Sequence, residues 1–287
     1  MKAGKTVLSA ILALTLFLMS LLGGAMLLAQ SALAALPTLA ARLVDEDFVS
    51  QTELAVQSRV TQALSLLPIS YDSFSDLLNR ELLAQETQKA ADATLRALTG
   101  EAEAAYCFEN EALRQRIVSL LEQSAQTLGV TYEESAAQEV YEAVCARVEG
   151  GISFSAETYA AKVAPYLTAL EGILRFWFAP ALVAAFCALA LFLLHWHRKR
   201  KGGFYVLSPL YFAALSLFAL SFVLYRRDLL AQTVLTDRVL QCFLRRLYLV
   251  LLGDVWRSVL PVMVALALAI LVLIGVCVCK AEAKHAN

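Results

Sequence analysis

The chain has 287 residues, of which 59% are hydrophobic and 17% are charged, and its mean hydropathy is +0.63. Soluble domains are usually about 45 to 50% apolar, so this composition excludes an ordinary soluble enzyme or binding domain as a description of the whole chain. The formal net charge of −1 hides a division of charge. Residues 31–172 contain 21 acidic and 9 basic side chains, whereas the rest of the chain contains 4 acidic and 15 basic ones.

Four stretches are long and apolar enough to cross a bilayer, whose hydrocarbon core of about 30 Å needs about 20 helical residues. They are residues 6–29, 173–196, 204–225 and 258–279. Tryptophan and tyrosine prefer the headgroup level, and they lie near the ends of the last three stretches. We therefore predict a multi-pass protein of the cell membrane, in contact with membrane lipid.

The first stretch allows two interpretations. A small-x-small pattern at residues 32–34 fits cleavage by a signal peptidase, whereas an apolar run of about 24 residues exceeds the usual 7 to 15 and favours an uncleaved anchor. Both interpretations leave residues 31–172 on the same side of the membrane.

A short basic loop between the second and third stretches indicates the orientation. Loops of this kind, rich in lysine and arginine, stay on the cytoplasmic side. We expect Gly202 and Gly203 to form its flexible turn. The predicted topology determinants, from this loop and the N-terminus, are Lys2, Lys5, Arg198, Lys199, Arg200 and Lys201. This orientation predicts two cytoplasmic termini and an extracytoplasmic region 31–172. Six arginines in residues 226–257 oppose it, because they resist export.

These features predict an all-α fold: a four-helix transmembrane protein with an extracytoplasmic helical bundle inserted between the first and second membrane helices. The predicted parts are an anchor helix or signal peptide (1–30), an acidic helical domain (31–172), the second and third membrane helices (173–225) with a basic cytoplasmic hairpin (196–203), an outer amphipathic connector (226–257), and the fourth membrane helix with a short tail (258–287). The connector is predicted to lie either on the outer membrane surface or against the acidic domain.

Apolar spacing and capping residues predict five helices in the acidic domain. The first follows Pro37 and ends at Pro68; the second covers 74–98, with Ser73 as its cap; the third covers 111–128, between Asn110 and Gly129; the fourth starts after Thr131 and is closed by Gly150 and Gly151; the fifth begins near Ser155 and continues through Pro165 into the membrane.

Two cysteines of this domain are a candidate disulfide pair. If the third and fourth predicted helices form an antiparallel hairpin, Cys107 and Cys145 meet at the same end of it. In an oxidising compartment a bond closing a loop of about 39 residues would stabilise the domain by about 4 kcal/mol. The alternative is two buried free thiols in a helical core.

The sequence lacks the signatures of catalysis and of cofactor binding. It contains no zinc-protease, nucleophile-elbow or phosphate-loop motif. His195 and His197 are two residues apart, as are Cys277 and Cys279, so each pair points to opposite faces of a helix and is poorly placed to share a metal ion. We predict no enzyme activity, no cofactor and no metal, and the basic patch is too small to indicate nucleic-acid binding.

Two functions remain open. The first is a non-enzymatic membrane protein whose helical extracytoplasmic domain binds an unidentified protein partner, or senses a signal, at the cell envelope. The second follows from layout: one span, a large outer domain and three more spans is similar to the arrangement of permease-like subunits that work with cytoplasmic ATPases in transport or envelope control. No sequence motif carries this likeness, and copurification of a stoichiometric ATPase would distinguish the two.

Overall fold

The computed structural model describes residues 2–65, 67, 69–100, 106–152, 156–196, 199–232 and 237–285. Side chains are described for the same residues apart from 2–3, 156–161, 199–201, 232 and 277–285. Every regular element in this part of the chain is helical and none is a strand, which confirms the all-α prediction.

Ten α-helices are described: α1 Lys2–Ala35, α2 Ala40–Leu43, α3 Glu46–Leu64, α4 Arg80–Leu98, α5 Glu111–Leu128, α6 Glu134–Ile152, α7 Ala156–Leu174, α8 Phe178–Leu194, α9 Lys199–Arg227 and α10 Arg238–His285. They belong to two compact units. The membrane unit comprises Met1–Ala34, Ala169–Leu229 and Tyr248–Asn287, and the helical domain comprises Ala35–Thr168 and Leu230–Leu247.

Four helical stretches are long and apolar enough to cross a membrane, as the sequence predicts. They are Gly4–Thr38, Lys162–Leu194, Gly202–Ala231 and Arg238–Val276. Few of the side chains in their most apolar windows are buried, and large ones such as Phe186 (70%) and Val272 (65%) are exposed. Apolar side chains left uncovered on this scale fit a helix surrounded by lipid rather than by water.

Small residues bring the helices of the membrane unit close together. On α1, a Cβ added at Gly23 would lie 3.5 Å from the backbone nitrogen of Ala181 in α8, and one added at Gly24 would lie 2.9 Å from Cδ1 of Leu217 in α9. Lipid tails provide no hydrophobic drive for helix association, so close backbone approach and dispersion contacts replace it. From Leu217 toward the C-terminal end of α9, Trp256 of α10 packs against aromatic rings at centroid distances of 6.0 to 6.4 Å: Phe218, Phe222 and Tyr225.

The helical domain has the opposite pattern, with an apolar interior. Helix α3 packs on α4 and α6, and α5 packs on α6. The predicted apolar stripe on α3 forms part of the core, since Phe48, Val56, Val60 and Leu64 are buried. Side-chain caps start three of the helices by accepting a backbone N–H: Asp45 from Phe48 (3.0 Å), Asn79 from Leu82 (2.9 Å) and Asn110 from Leu113 (3.1 Å).

Three predictions of helix boundaries in this domain are wrong. The helix predicted between Pro37 and Pro68 is interrupted by extended backbone at Val44, which separates α2 from α3, and α3 ends at Leu64. Helix α4 begins at Arg80 rather than at 74, because residues Tyr71–Ser73 form a 3-10 turn and Asn79, not Ser73, supplies the cap. Helix α6 does not stop at Gly150 but runs to Ile152. The absence of a side chain at Gly151 lets α3 cross α6 closely. An added Cβ would lie 2.7 Å from Cγ2 and 3.1 Å from Cα of Val56. Pro68 and Ser155, two other predicted boundaries, lie outside the described residues.

One connection to the membrane helices agrees with the prediction, and two others differ from it. Helix α7 passes directly into α8 through a 3-10 turn at Arg175–Trp177, so the fifth domain helix continues into the second span as predicted. The connector and the fourth span, which were predicted as separate parts, are one helix, α10. Gly202 and Gly203 lie inside α9 rather than in a turn. An added Cβ at Gly202 would lie 3.2 Å from Cβ of His195, so glycine lets the two helices meet.

Candidate functional site

The first turns of α10 pack within the helical domain. Asp237 caps the helix by accepting the backbone N–H groups of Val239 (2.9 Å) and Leu240 (3.1 Å). Phe243 is 2% exposed, and its ring lies 6.5 Å from the ring of Phe48 on α3. Of the two placements that the sequence leaves open for the connector, the contacts of residues 238–247 favour packing against the domain.

Ion pairs surround this apolar contact. Arg246 pairs with Asp45 and, at 3.8 Å, with Asp47 at the start of α3. Arg59 lies 3.9 Å from Asp237 and donates a hydrogen bond of 2.5 Å to the backbone oxygen of Gly150 in α6. These side chains are partly exposed, so each pair contributes less than about 1 kcal/mol to the free energy of unfolding. The pairs serve mainly to align α10 with α3.

A buried carboxylate joins α4 to the segment before α5. Glu86 is 7% exposed and accepts hydrogen bonds from the Tyr106 hydroxyl (3.0 Å) and from Nζ of Lys89 (2.7 Å). Burial, and then the negative charge of Glu86, raise the pKa of Tyr106 far above its ordinary value of 10.0. The phenol therefore remains a donor at physiological pH. No spacing in the sequence indicates this network, because Glu86 looks like any other acidic residue of an amphipathic helix.

The structure brings the two cysteines of the predicted disulfide to the same end of the α5–α6 hairpin. Cys107 is exposed and Cys145 is buried, and both are free thiols here. The backbone N–H of Asn110 donates to the Tyr141 hydroxyl (3.2 Å), and Tyr141 lies one helical turn before Cys145 on α6. The bond between Cys107 and Cys145 stays a prediction.

Burial and neighbouring acidic residues raise the pKa of both thiols. Burial raises the pKa of the Cys107 thiol, and the charges of Glu149 and Glu109 raise it further. Burial also raises the pKa of Cys145, the hydrogen bond from Tyr141 lowers it, and the nearby Cys107 raises it again. Both groups are therefore thiols rather than thiolates near neutral pH.

The turn of the α5–α6 hairpin carries exposed apolar side chains. Leu128 is 67% exposed and Val130 is 64% exposed, on either side of Gly129, which takes the left-handed conformation at φ +67°. Exposed carboxylates flank the turn along the two helices: Glu122, Glu133, Glu134 and Glu139. The two apolar and four acidic residues are called the hairpin surface below. An apolar centre with a charged rim is typical of surfaces that bind another protein.

A polar contact joins three helices of the membrane unit. Ser9, 1% exposed on α1, donates to the backbone oxygen of Lys5 (2.8 Å), so its oxygen accepts the hydrogen bond of 3.0 Å from Nε2 of His195. The His195 ring also stacks on Tyr205 of α9 at 4.7 Å between centroids and 8° between planes. Ser9 and Tyr205 thus hold one histidine, which the sequence offered only as an unlikely metal ligand.

An open groove of about 370 Å³ lies between α1 and α9 in the membrane unit. Its lining is apolar apart from two serines: Ala13, Phe17, Ser208, Pro209, Phe212 and Ser216. The Ser216 hydroxyl already donates to the backbone oxygen of Phe212 within its own helix. A groove of this composition fits a surface in contact with lipid tails.

The structure describes the side chain of only one of the six predicted topology determinants. Lys5 is exposed, the side chains of Lys2, Lys199, Arg200 and Lys201 are not described, and Arg198 lies outside the described residues. The predicted orientation therefore stays a prediction.

Among the side chains that the structure describes, no group of three or more histidine, cysteine, aspartate or glutamate residues is placed to hold a metal ion. Comparison of the chain with protein-family models, with curated proteins and with solved structures gave no match.

Proposed function

We propose that the chain is a non-enzymatic multi-pass membrane protein whose helical domain faces away from the cytoplasm and binds a protein partner, or senses a signal, at the cell envelope. The observation that carries this proposal is the hairpin surface, where Leu128 and Val130 are more than 60% exposed among carboxylates. The matching partner presents an apolar patch flanked by basic side chains.

Single exposed leucines and valines are ordinary on protein surfaces, so their setting matters. Helix α5 contributes only two fully buried residues among those described, Leu113 and Ile117, and both lie in its first half. Helix α5 as a whole packs on α6. This end of the hairpin has little of its own apolar surface covered, and a partner would cover it.

The charge division of the chain supports the outward orientation of the domain. Residues 31–172 carry a net charge of −12, whereas lysines and arginines concentrate in the remainder. Long domains are exported largely regardless of their charge, whereas short loops rich in lysine and arginine are retained, so the basic loop indicates the side. A domain held outside by four membrane helices is well placed to meet partners at the membrane surface.

Site-specific photo-crosslinking in intact cells tests the proposal. A photoreactive residue at Val130 should give one stoichiometric protein adduct. The same residue at Asp76, which is exposed on the same domain but away from the hairpin turn, should give none. The charge reversal E133K/E134K should weaken the Val130 adduct several-fold, because it removes the acidic rim. Equal crosslinking at both positions, or no adduct at Val130, would contradict partner binding by this surface.

The alternative is a permease-like subunit of an ATPase-driven complex. It rests on the order of parts along the chain, in which one spanning helix, the helical domain and three further spanning helices follow one another. Gentle detergent extraction followed by copurification distinguishes it: a stoichiometric cytoplasmic ATPase supports the alternative, and a crosslinked envelope protein without an ATPase supports partner binding alone.

A further inference from the structure

We propose that Cys107 and Cys145 form their disulfide in a fixed order, in which the exposed Cys107 first exchanges with an external disulfide and the buried Cys145 then displaces the donor. Tyr141 is the positioning residue for the second step. This inference concerns the covalent maturation of the domain, and it holds or fails independently of the proposed partner binding.

Accessibility sets the order of the two steps. Thiol–disulfide exchange requires direct attack of a thiolate on the donor sulfur, so the first thiol must be reachable by a bulky donor. Cys107 is exposed in the non-helical segment before α5, whereas Cys145 is only 8% exposed on α6. Cys107 therefore meets the donor, and Cys145 reaches only a sulfur already attached to Cys107.

Two contacts hold the segment that carries Cys107: one joins it to α4, and the other joins it to α6, the helix that carries Cys145. Tyr106, the residue before Cys107, is anchored to Glu86 on α4 by a hydrogen bond of 3.0 Å. Three residues after Cys107, the N–H of Asn110 donates to the Tyr141 hydroxyl on α6. Tyr141 and Cys145 are four residues apart on the same helix and therefore lie on one face. The segment bearing Cys107 is thus fixed on both sides next to the face bearing Cys145.

The Tyr141 hydroxyl has the right set of hydrogen bonds to assist the second step. Its oxygen accepts from Asn110, which leaves its own hydrogen free to donate to the sulfur of Cys145. This donation favours the thiolate and lowers the pKa of Cys145, against the effect of burial. Tyr141 thereby holds the segment of Cys107 and stabilises the attacking form of Cys145 with the same group.

The acids nearby make the thiols slow to react and the product slow to reverse. Desolvation, and then the charges of Glu149 and Glu109, raise the pKa of Cys107, so its thiolate fraction at neutral pH is small. Removing the charge with E149Q should therefore speed the first step, and raising the pH should do the same. A pair with this chemistry is suited to a lasting structural bond rather than to repeated redox cycling.

The reaction balances with a donor disulfide, RSSR, supplied by a thiol oxidoreductase or a small disulfide of an oxidising compartment. Cys107 loses its proton, attacks one donor sulfur to form Cys107–S–S–R, and releases RS⁻. Cys145 loses its proton, attacks the Cys107 sulfur and releases the second RS⁻. Two electrons pass from the two cysteines to the donor, which leaves as two RSH after taking up the two protons.

The experiment uses the purified full-length chain in detergent, reduced and then exposed to oxidised glutathione. Samples are quenched with an alkylating agent over time and mapped by mass spectrometry. The wild type should yield a linked Cys107–Cys145 peptide, and the bond should lower the unfolding equilibrium constant of the domain by about 700-fold in the chain-entropy model. C145A should accumulate glutathione on Cys107, and C107A should leave Cys145 unmodified over the same period.

Y141F separates positioning from packing, because it keeps the ring and removes only the hydroxyl. It should accumulate the Cys107–glutathione adduct, and the pH at which the adduct resolves should shift upward relative to wild type. Cys242, which is partly buried, provides an internal control thiol whose rate should not change. The proposal is overturned if the wild type stops at the Cys107 adduct, if Cys145 in C107A reacts as fast as Cys107 in C145A, or if Y141F resolves with the wild-type pH profile.

Discussion

The helical domain and the membrane unit use similar residues in opposite ways. In the domain, large apolar side chains such as Phe48, Phe74 and Leu83 are almost fully buried. In the membrane unit, Leu182 and Phe186 are 65% and 70% exposed. Water drives apolar burial in the first case, whereas lipid removes that drive in the second and leaves close packing and a few polar contacts to hold the helices.

The glycines illustrate the same difference. Gly151 in the domain lies against the backbone of Val56, which cannot move without shifting α3. Gly24 in the membrane unit lies against the flexible end of Leu217, which can turn away. The domain is therefore expected to tolerate substitutions at its helix crossings less well than the membrane unit does.

The largest effect is expected for F243A, which tests whether residues 238–247 belong to the domain. F243A removes a ring that is 2% exposed and packed on Phe48, so the domain should lose about 3 to 4 kcal/mol of stability. Hydrogen exchange of the full chain in detergent should show reduced protection in α3. The control is V262A, at a position 54% exposed on the same helix, which should leave α3 unchanged. Unchanged α3 protection in F243A would place the connector outside the domain.

The next prediction concerns the crossing of α3 and α6. G151A should destabilise the domain by about 2 to 3 kcal/mol, because its Cβ would overlap the Val56 backbone. G150A is the matched control: its Cβ would meet only the end of the Arg59 side chain at 3.0 Å, and the gain in helix propensity offsets part of that cost. Hydrogen exchange of α3 and α6 measures both variants, and equal protection would contradict the close crossing.

A third prediction uses alkaline pH. Below pH 10 the folded and unfolded chains both keep the Tyr106 proton, and its contribution to stability is constant. Above that pH the unfolded chain loses the proton while the folded chain retains it, so stability should fall by up to about 1.4 kcal/mol per pH unit. Y106F should flatten this fall in a denaturation series, whereas Y166F, at a position 77% exposed, should not. Identical slopes in wild type and Y106F would mean that Tyr106 is not held as a neutral donor to Glu86 in the folded domain.

The smallest effect is expected in the membrane unit. A double-mutant cycle of S9A and H195A should give a coupling energy of about 0.6 kcal/mol and no more than about 1.7, as is typical of hydrogen bonds between membrane helices. The control cycle pairs S216A with H195A, since the Ser216 hydroxyl bonds only within its own helix. A coupling of zero between Ser9 and His195 would mean that the bond does not contribute to stability.

Some elements could be predicted from the sequence because local signals alone determine them. Helix α5 has the predicted bounds because Asn110 caps its start and Gly129 takes the positive φ that ends it. The spans follow from length and composition alone. The meeting of Cys107 and Cys145 at one end of the hairpin follows from the two helix lengths and the turn between them.

Long-range packing decided the features that the sequence did not reveal. Ser73 and Asn79 are both suitable caps, and the fold uses Asn79 while Phe74 is buried in the core. Gly150 and Gly151 resemble a helix end, but a contact with α3, about 95 residues earlier in the chain, keeps them inside α6. The roles of Glu86 and Tyr141 depend on partners in other segments and have no local signature.

The orientation of the helical domain is the central claim, and the native lysines can test it without any substitution. Intact cells are treated with a membrane-impermeant amine-reactive ester, and the labelled peptides are mapped. Lys89, whose side chain is 66% exposed, and Lys162 lie in the domain, whereas Lys5 lies near the predicted cytoplasmic end of α1. We predict labelling of Lys89 and Lys162 in intact cells and of Lys5 only after permeabilisation. Labelling of Lys5 but not of Lys89 in intact cells would contradict the account.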